Sequence, residues 1–263
     1  MNKNVLIIGS GSIAKKHIIN LKKLNYSVYI STSNKNFIKK KNDLINIKNL
    51  KSYPTFEFAI IANNTNDHFK SIDYLIKKKI HIYCEKPISN KMFNYKKIRI
   101  LLKKNKIIYH SGYQLLNDSK VLFLKKKLKK LKIKSFIASV GHDFTKWRDD
   151  KLRNNSYYSN TSMGGGVIFD LVHEVNLIRF FFGNIANIKT FKKKSDLFNC
   201  EDIAVSIIKT KKNIIGTLYQ DMYSRFLFRS IQIITNKKNY KIDFVKNCIF
   251  ENDKIIEFRN SNK

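Results

Sequence analysis

The stretch that decides the fold lies near the start of the chain and reads Val5-Leu6-Ile7-Ile8-Gly9-Ser10-Gly11-Ser12-Ile13-Ala14. Its four apolar residues predict a short buried strand, and a helical pattern begins at Ser12. In a dinucleotide-binding turn the first glycine bends the chain, the second admits the backbone to a pyrophosphate, and a small third residue lets helix and strand pack closely. Gly9, Gly11 and Ala14 occupy these positions, which predicts that residues 9–13 bind a dinucleotide at the helix N-terminus.

Strand and helix patterns alternate over the first 115 residues. Buried-strand patterns lie at 5–8, 28–30, 56–62, 80–84 and 107–110, and helical patterns lie at 12–24, 35–41, 66–78 and 91–104. This alternation predicts a parallel, doubly wound α/β sheet, so we assign residues 1–115 to a dinucleotide-binding Rossmann domain.

The rhythm changes after residue 115, where strands begin to follow one another. Helical patterns lie at 118–131 and 166–182, on either side of a strand at 135–140 and a polar loop at 141–163, and strands follow at 202–209, 214–222, 228–235, 240–245 and 248–257. Successive strands with short turns indicate a mostly antiparallel sheet. Residues 116–263 are therefore predicted to form a second, α+β domain.

The chain carries a net charge of +33, with 52 basic residues. One explanation is binding to nucleic acid or an anionic surface, and the other is a compositional bias toward residues with AT-rich codons. Only seven of the 52 basic residues are Arg, although nucleic-acid sites favour Arg for bidentate contacts. The composition therefore favours the bias and disfavours a nucleic-acid partner.

The chain lacks the apolar runs of about 18 residues that cross membranes, and its start shows no signal-peptide pattern. Cys84, Cys200 and Cys248 lie far apart and form no CxxC motif. We therefore expect a cytoplasmic protein that binds no membrane, contains free thiols and has no metal site.

The end of the second predicted strand bears on the choice of cofactor. NAD-selective folds usually place Asp or Glu there to bind the ribose 2′-hydroxyl, whereas this chain has Ser31, Thr32, Ser33 and Asn34 followed by Lys35. Hydroxyl groups and a cation tolerate a 2′-phosphate, so the sequence favours NADP over NAD, with Ser31 and Thr32 as contacts. The alternative is a polar turn without a selective contact.

A central strand ends in Asn63 and Asn64, and His68 lies just inside the next helix. Ligands of open α/β sheets bind at the carboxyl ends of the strands, so these three residues are predicted to contact the cofactor. For His68, a packing or capping role is the alternative.

Glu85-Lys86-Pro87 follows the strand at 80–84. Pro87 donates no backbone hydrogen bond and restricts Lys86 to extended geometry, which fixes the charged pair at the strand end. A lysine held beside a nicotinamide ring can act as an acid or base, so Lys86 is a candidate catalytic residue and both charged residues are candidate cofactor contacts. The alternative is an ordinary run of surface charge.

Three glycines at 164–166 precede a helical pattern that contains Asp170 and His173. Residues three apart on a helix share one face, so both side chains can address one point, and His is the commonest general acid–base. The pair is a candidate for catalysis and substrate binding, with a cap-and-core pair as the alternative. In the preceding loop, Trp147 and Arg148 suit a sugar ring that carries a carboxylate or phosphate, unless the Trp merely anchors the loop.

Several segments occur together in a characteristic order: IIGSGSIAKKH at 7–17, FAIIANNTNDH at 58–68, YCEKPIS at 83–89, SGYQ at 111–114 and GGGVIFDLVHEVNLIRFFFG at 164–183. In this combination the chain resembles the Gfo/Idh/MocA family of NAD(P)-dependent oxidoreductases. Its segment around 147–174 is similar to a subgroup linked to surface-polysaccharide and amino-sugar pathways.

The resemblance implies a Rossmann domain followed by an α/β domain whose open-faced sheet covers the substrate and mediates homodimers or homotetramers. It implies hydride transfer between nicotinamide and a hydroxyl or carbonyl carbon of a sugar or nucleotide-sugar. In the family the lysine at the position of Lys86 touches cofactor and substrate, and the histidine at His173 is the acid–base. Tyr113 lies where the family has a substrate-contacting run.

The chain also departs from the family pattern. Asp170 precedes His173 by three residues where many members have four, and Asn176 replaces a second Asp. The run from Tyr113 to Asn117 lacks the usual Arg, and the chain is shorter than typical members. These departures leave open an alternative function, a non-catalytic cofactor-binding regulatory protein on the same fold.

Overall fold

The structure, a computed structural model, describes residues 3–34, 37, 45–46, 54–91, 95–143, 159–161, 164–196 and 198–257. Contacts between residues divide the chain into two compact units, Met1–Gly112 and Tyr113–Lys263. In the part of the chain described, no helix is long and apolar enough to cross a membrane.

The first unit alternates strands and helices. Its elements are β1 (Asn4–Ile8), α1 (Ser12–Lys23), β2 (Ser27–Ser31), β3 (Ile45–Asn46), β4 (Phe58–Ile61), α2 (Thr65–Lys77), β5 (His81–Cys84), α3 (Tyr95–Lys104) and β6 (Tyr109–Ser111). The strands form a parallel sheet in the order β3-β2-β1-β4-β5-β6. This confirms the predicted Rossmann sheet, while most of the basic helix predicted at 35–41 lies outside the described residues.

The apolar run of β1 explains why both faces of this sheet are covered. Successive strand residues point to opposite faces. Val5 and Ile7 pack with Ala14, Ile18 and neighbouring residues of α1 and β2. Leu6 packs on the other face in a second buried cluster, which contains residues of α2. A continuous apolar run is therefore the pattern of a strand buried between two helical layers.

The second unit is built on one long sheet. Its elements are a 3₁₀ turn (Gln114–Asn117), α4 (Ser119–Leu128), β7 (Ile133–Gly141), α5 (Val167–Asp170), α6 (His173–Phe182), β8 (Ile185–Lys194), β9 (Glu201–Thr210), β10 (Ile215–Asp221), β11 (Phe228–Thr235), β12 (Asn239–Asp243), β13 (Cys248–Glu251) and β14 (Lys254–Glu257). The strand order is β14-β13-β12-β11-β7-β10-β9-β8. Among the described strands of this second sheet, only β7 and β10 pair in parallel, which confirms the mostly antiparallel sheet.

Helices α4 and α6 cover one face of this sheet. Phe136 on β7 stacks on Phe182 of α6 with ring centroids 4.3 Å apart. Both are buried in a cluster that also contains Leu124, Ile208 and Ile231. The side chains that point the other way on β7, β9 and β10 include exposed Ile137, Val205, Ile207 and Ile215. The sheet thus has one covered and one open face.

Two parts of this unit differ from the predictions. Strand β8 was not predicted, because all its residues after Ile185 are exposed and its sequence lacks the apolar alternation of a half-buried strand. The strand predicted at 248–257 is a hairpin of β13 and β14. Asn252 makes its turn with φ of 50° and donates its backbone N–H to the Asn239 carbonyl at 2.8 Å.

Candidate functional site

Gly9 and Gly11 shape the turn between β1 and α1. Gly9 has φ of 120°, and a Cβ there would collide with the backbone of Ala62. Gly11 is the N-cap of α1, has no side-chain cap, and would place a Cβ with no atom within 4 Å. Ser12 and Ile13, which begin the helix, are exposed. The N-terminal N–H groups of α1 therefore border an open surface, the arrangement that binds phosphate.

The end of β2 is tied to this glycine turn. Gly9 donates its backbone N–H to the Ser31 carbonyl at 3.0 Å. The Thr32 hydroxyl donates to Ser10 Oγ at 3.0 Å and accepts the Asn34 backbone N–H at 3.2 Å. The structure thus brings the predicted contacts Ser31 and Thr32 beside the predicted contact Ser10. Lys35 lies outside the described residues.

The end of β4 leads into α2 through Asn63 and Asn64. Asn63 donates its side-chain amide to Ser71 Oγ at 3.0 Å, and exposed Asn64 is the N-cap of α2 without a side-chain cap. His68 is buried, with Nε2 3.1 Å from the Asn63 carbonyl and Nδ1 2.8 Å from the Pro87 carbonyl. Burial lowers the pKa of His68. The ring thus lies between the end of β4 and the segment after β5.

The charged pair after β5 is only partly accessible. Glu85 is 8% exposed, Lys86 is half-buried, and the Lys86–Pro87 peptide bond is cis. Glu85 Oε1 lies 2.7 Å from Nε2 of His17, a residue of α1. An ordinary run of solvated charge does not bury a carboxylate against a histidine, so the structure disfavours that alternative for Glu85.

The segment with Asp170 and His173 is not the single helix predicted at 166–182. Helix α5 ends at Asp170, Leu171 leaves helical geometry with ψ of 37°, and α6 begins at His173. The two side chains therefore do not share a helical face through i,i+3 spacing. Both are 6% exposed, and the His173 ring meets the ring of Tyr113 edge-on at 6.0 Å. Tyr113 and His173, both predicted substrate contacts, are thus neighbours.

Distant side chains hold this break between the helices. A Cβ on Gly166, whose φ is 103°, would collide with the Glu201 carboxylate, and Glu201 Oε1 accepts the Ile168 backbone N–H at 3.4 Å. Gln220 donates its amide to the carbonyls of Val167 at 3.3 Å and Leu171 at 2.9 Å. Sequence reasoning missed Glu201 and Gln220, because no local pattern links them to residues some 30 to 50 positions earlier in the chain.

Acidic side chains gather near Cys200. Burial, followed by the charges of Glu201, Asp202 and Asp170, raises the pKa of the Cys200 thiol to about 12. Cys200 is therefore a neutral thiol beside a local negative charge in a strongly basic chain. Asp170 thus belongs to a buried acidic cluster next to the helix that begins with His173.

Comparison with known proteins identifies the family. The model of the Gfo/Idh/MocA oxidoreductase family, with an NAD-binding Rossmann fold, matches residues 3–113. The model of the Gfo/Idh/MocA C-terminal domain matches residues 132–240.

The chain belongs to the Gfo/Idh/MocA family of oxidoreductases. The predicted resemblance is thereby confirmed, and the family models together span most of both units. Myo-inositol 2-dehydrogenase of Thermotoga maritima is 23% identical over an alignment 233 residues long, which covers 81% of this chain and 66% of that protein. The chain therefore spans slightly less than two thirds of the length of this curated relative.

Two solved dehydrogenase structures show the same fold. The WlbA dehydrogenase from Bordetella pertussis, in complex with NADH and UDP-GlcNAcA, gives a TM-score of 0.82 at 15% identity, over 99% of this chain and 78% of that chain. UDP-N-acetylglucosamine 3-dehydrogenase GnnA from Acidithiobacillus ferrooxidans gives a TM-score of 0.79 at 12% identity, over 98% of this chain and 84% of that chain.

The first unit fits the dinucleotide that the Gfo/Idh/MocA fold implies. The open space at Gly11 and the uncapped start of α1 leave room for a diphosphate against the backbone. The Ser10–Thr32 pair lies at the end of β2, where an adenosine ribose is held in this fold class. The side chains of the turn are small and uncharged, so they do not obstruct a pyrophosphate.

Some predicted contacts lie beyond the described ranges. Trp147 and Arg148 fall in the segment 144–158, so their predicted role in substrate binding stays a prediction. Within the residues that the structure describes, no group of three or more His, Cys, Asp or Glu side chains could hold a metal ion.

Proposed function

We propose that the protein is an NAD(P)-dependent dehydrogenase or reductase of a sugar or nucleotide-sugar. The observation that carries this proposal is the glycine turn with its uncapped α1, in a chain that also has buried Glu85 before Lys86. The relatives support the substrate class, because the curated one is an inositol dehydrogenase and one solved structure contains UDP-GlcNAcA. We assign cofactor binding to residues 1–115 and substrate binding to residues 116–263.

In the proposed chemistry, one residue acts on the reacting oxygen and another on the proton of that oxygen. A bound nicotinamide accepts or supplies the hydride. The Lys86 ammonium orients and polarises the reacting oxygen, and His173 takes the hydroxyl proton in oxidation or returns it in reduction. Asp170 supports His173, while Tyr113, Trp147 and Arg148 contact the sugar.

Turnover with a defined panel tests this function. Purified protein is mixed with NAD or NADP and free hexoses, inositols, and UDP-linked amino sugars with and without a uronate carboxylate. Formation of reduced cofactor is followed at its nicotinamide absorbance. We expect turnover with at least one sugar or nucleotide-sugar. Tight cofactor binding without turnover across the panel would instead favour the non-catalytic regulatory function.

We infer that NADP is the preferred cofactor. No carboxylate follows β2 before residue 35, and the Ser10–Thr32 hydroxyl pair offers neutral hydrogen-bonding groups there. Hydroxyl groups accommodate a 2′-phosphate, whereas a carboxylate at this place would repel it.

The substitution Thr32→Asp should reverse this preference. We expect the KM for NADP to rise by about 10- to 100-fold, with the KM for NAD changed by less than about threefold, because the new carboxylate repels the phosphate. Thr32→Ser keeps the hydroxyl and is the matched control. Steady-state kinetics with both cofactors measures the ratio. A wild-type preference for NAD, or an unchanged ratio in Thr32→Asp, would contradict the inference.

We propose that the open face of the sheet joins copies of this chain into homodimers or homotetramers. Ile137 and Ile207 both lie opposite Thr217 in neighbouring strand pairs, and Val205 lies opposite Phe191. The four apolar side chains are between 37% and 58% exposed. Exposed apolar side chains gathered on one face of a sheet are typical of an interface between subunits.

Ile207→Asp should disrupt that association. A charge at the centre of an apolar interface would have to be buried without a partner, so we expect the oligomer to dissociate at micromolar concentration. Lys211→Glu, in the turn after β9, is a charge-changing control outside the face. Sedimentation velocity gives the mass of each variant. A monomeric wild type, or an Ile207→Asp oligomer as stable as the wild type, would sink the proposal.

We also propose a cytoplasmic location. Cys84, Cys200 and Cys248 are all free thiols in the structure. Burial raises the pKa values of Cys84 and Cys200 to about 12. Unpaired, unreactive cysteines are typical of proteins in reducing compartments.

A further inference from the structure

The Glu85 carboxylate is held at both of its oxygens. The His17 ring donates from Nε2 to Oε1 at 2.7 Å, and the Lys86 backbone N–H donates to Oε2 at 3.4 Å. Glu85 also donates its own backbone N–H to the Ile61 carbonyl at 2.9 Å, which fixes its main chain to the end of β4. A carboxylate that accepts on both oxygens has few remaining orientations.

The surroundings of this carboxylate leave it little room to move. A Cβ on Gly112 would lie 3.0 Å from Glu85 Oε2 and 3.1 Å from the Tyr83 hydroxyl oxygen, so the carboxylate lies close against the Gly112 backbone. Gly112 is fixed in turn by its N–H, which donates to the Cys84 carbonyl at 2.8 Å. Larger side chains at 112 would displace the carboxylate that contacts Lys86.

Helix α1 therefore reaches the end of β5 through His17. The edge of the His17 ring packs on Tyr83 with centroids 5.5 Å apart, and Tyr83 stacks on His110 of β6. Burial, and then the charge of Glu85, raises the pKa of the Tyr83 phenol to about 12, so the phenol stays neutral. Both ring nitrogens of the neighbouring His68 lie against backbone carbonyls. The ring that contacts the carboxylate is therefore that of His17.

From this geometry we propose that His17 is a positioning residue for Lys86. The His17–Glu85 contact fixes the carboxylate, the carboxylate fixes the Lys86 peptide, and the peptide sets the point from which the lysine side chain extends. The inference rests on the proposed function, because it assigns Lys86 to the reaction. His17 lies on the same helix whose first turn borders the pyrophosphate site, so α1 supports both cofactor binding and the position of the lysine.

The test compares His17→Leu, which removes the donor, with His17→Gln, whose amide can restore it. Lys16→Leu, at the adjacent exposed position of α1, is the control. In His17→Leu we expect kcat to fall by about 10- to 100-fold, with KM and the Kd for cofactor changed by less than about threefold. His17→Gln should recover most of kcat, and Lys16→Leu should match the wild type.

A second measurement is independent of turnover. Hydrogen exchange of the backbone amides of Glu85, Lys86 and Ile88, followed by mass spectrometry in protein without substrate, should be at least about fivefold faster in His17→Leu and near wild type in His17→Gln. If the wild type shows no turnover with any sugar, the proposed function fails, and the exchange result still decides whether His17 fixes this segment.

Three outcomes would overturn the inference. The first is unchanged kcat together with unchanged exchange in His17→Leu. The second is equal loss of kcat in His17→Gln and His17→Leu. The third is a parallel loss of melting temperature and cofactor affinity in both variants, which would assign His17 to the stability of the fold. If His17→Leu does not fold, Glu85→Gln replaces it, and full kcat with wild-type exchange in that variant contradicts the proposal.

Discussion

Replacing Lys86 with methionine is expected to lower kcat by at least about a thousandfold while the Kd for cofactor changes by less than about fivefold. Methionine matches the length of most of the lysine side chain but supplies neither charge nor proton. Lys86 is half-buried and follows a carboxylate that accepts hydrogen bonds on both oxygens. These two features indicate a lysine in a fixed position. The loss should therefore appear in the chemical step and not in binding.

Lys70→Met is the matched control for this experiment, because the Lys70 side chain is 84% exposed on α2. Steady-state kinetics gives kcat and KM, and quenching of protein fluorescence gives the Kd for reduced cofactor. Turnover of Lys86→Met within about tenfold of the wild type would remove the lysine from the proposed mechanism. Loss of cofactor binding with loss of turnover would assign Lys86 to the cofactor site alone.

The second large effect concerns the glycine turn. Substitution of Gly9 should lower stability, whereas substitution of Gly11 should lower cofactor affinity. Gly9→Ala is expected to destabilise the first unit by roughly 2 to 4 kcal/mol, since φ of 120° excludes a side chain and the new Cβ would collide with the Ala62 backbone. Gly11→Ala meets no protein atom within 4 Å. We expect it to fold normally and to bind cofactor about 10- to 100-fold more weakly, since its methyl group stands where the pyrophosphate approaches.

Thermal unfolding and cofactor titration separate the two variants. The melting temperature should drop by about 10 °C in Gly9→Ala and by less than about 2 °C in Gly11→Ala. Equal stability of the two variants would contradict the role of the left-handed geometry at Gly9. Wild-type cofactor affinity in Gly11→Ala would show that the diphosphate does not approach that backbone.

The first unit was predictable because its determinants are local. An apolar run such as Val5 to Ile8, followed at once by glycines, needs no distant partner to indicate a strand buried between helical layers. The second unit was less predictable where its determinants are remote. The helix break near Leu171 is contacted by Gln220 on β10 and by Glu201 on β9, which lie far along the chain from the break.

In the candidate site, too, features with local determinants were predictable and contacts between remote residues were not. Local motifs indicated Lys86, the glycine turn and His173 as candidates, and the family resemblance added the roles of Lys86 and His173. The contact between His17 and Glu85 joins residues 68 positions apart, and the helical pattern at 12–24 does not indicate it. Helical periodicity indicates which side of a helix is buried, and it does not indicate which atoms of other elements that side contacts.

The lysines of β8 restrict how two copies of this chain can meet. Lys189, Lys192, Lys193 and Lys194 lie along a strand that pairs only with β9 among the described strands. If a second β8 added to this border, its ammonium groups would face those of the first across the roughly 4.8 Å spacing of adjacent strands. That repulsion opposes a continuous sheet through two subunits and guards against fibre-like growth.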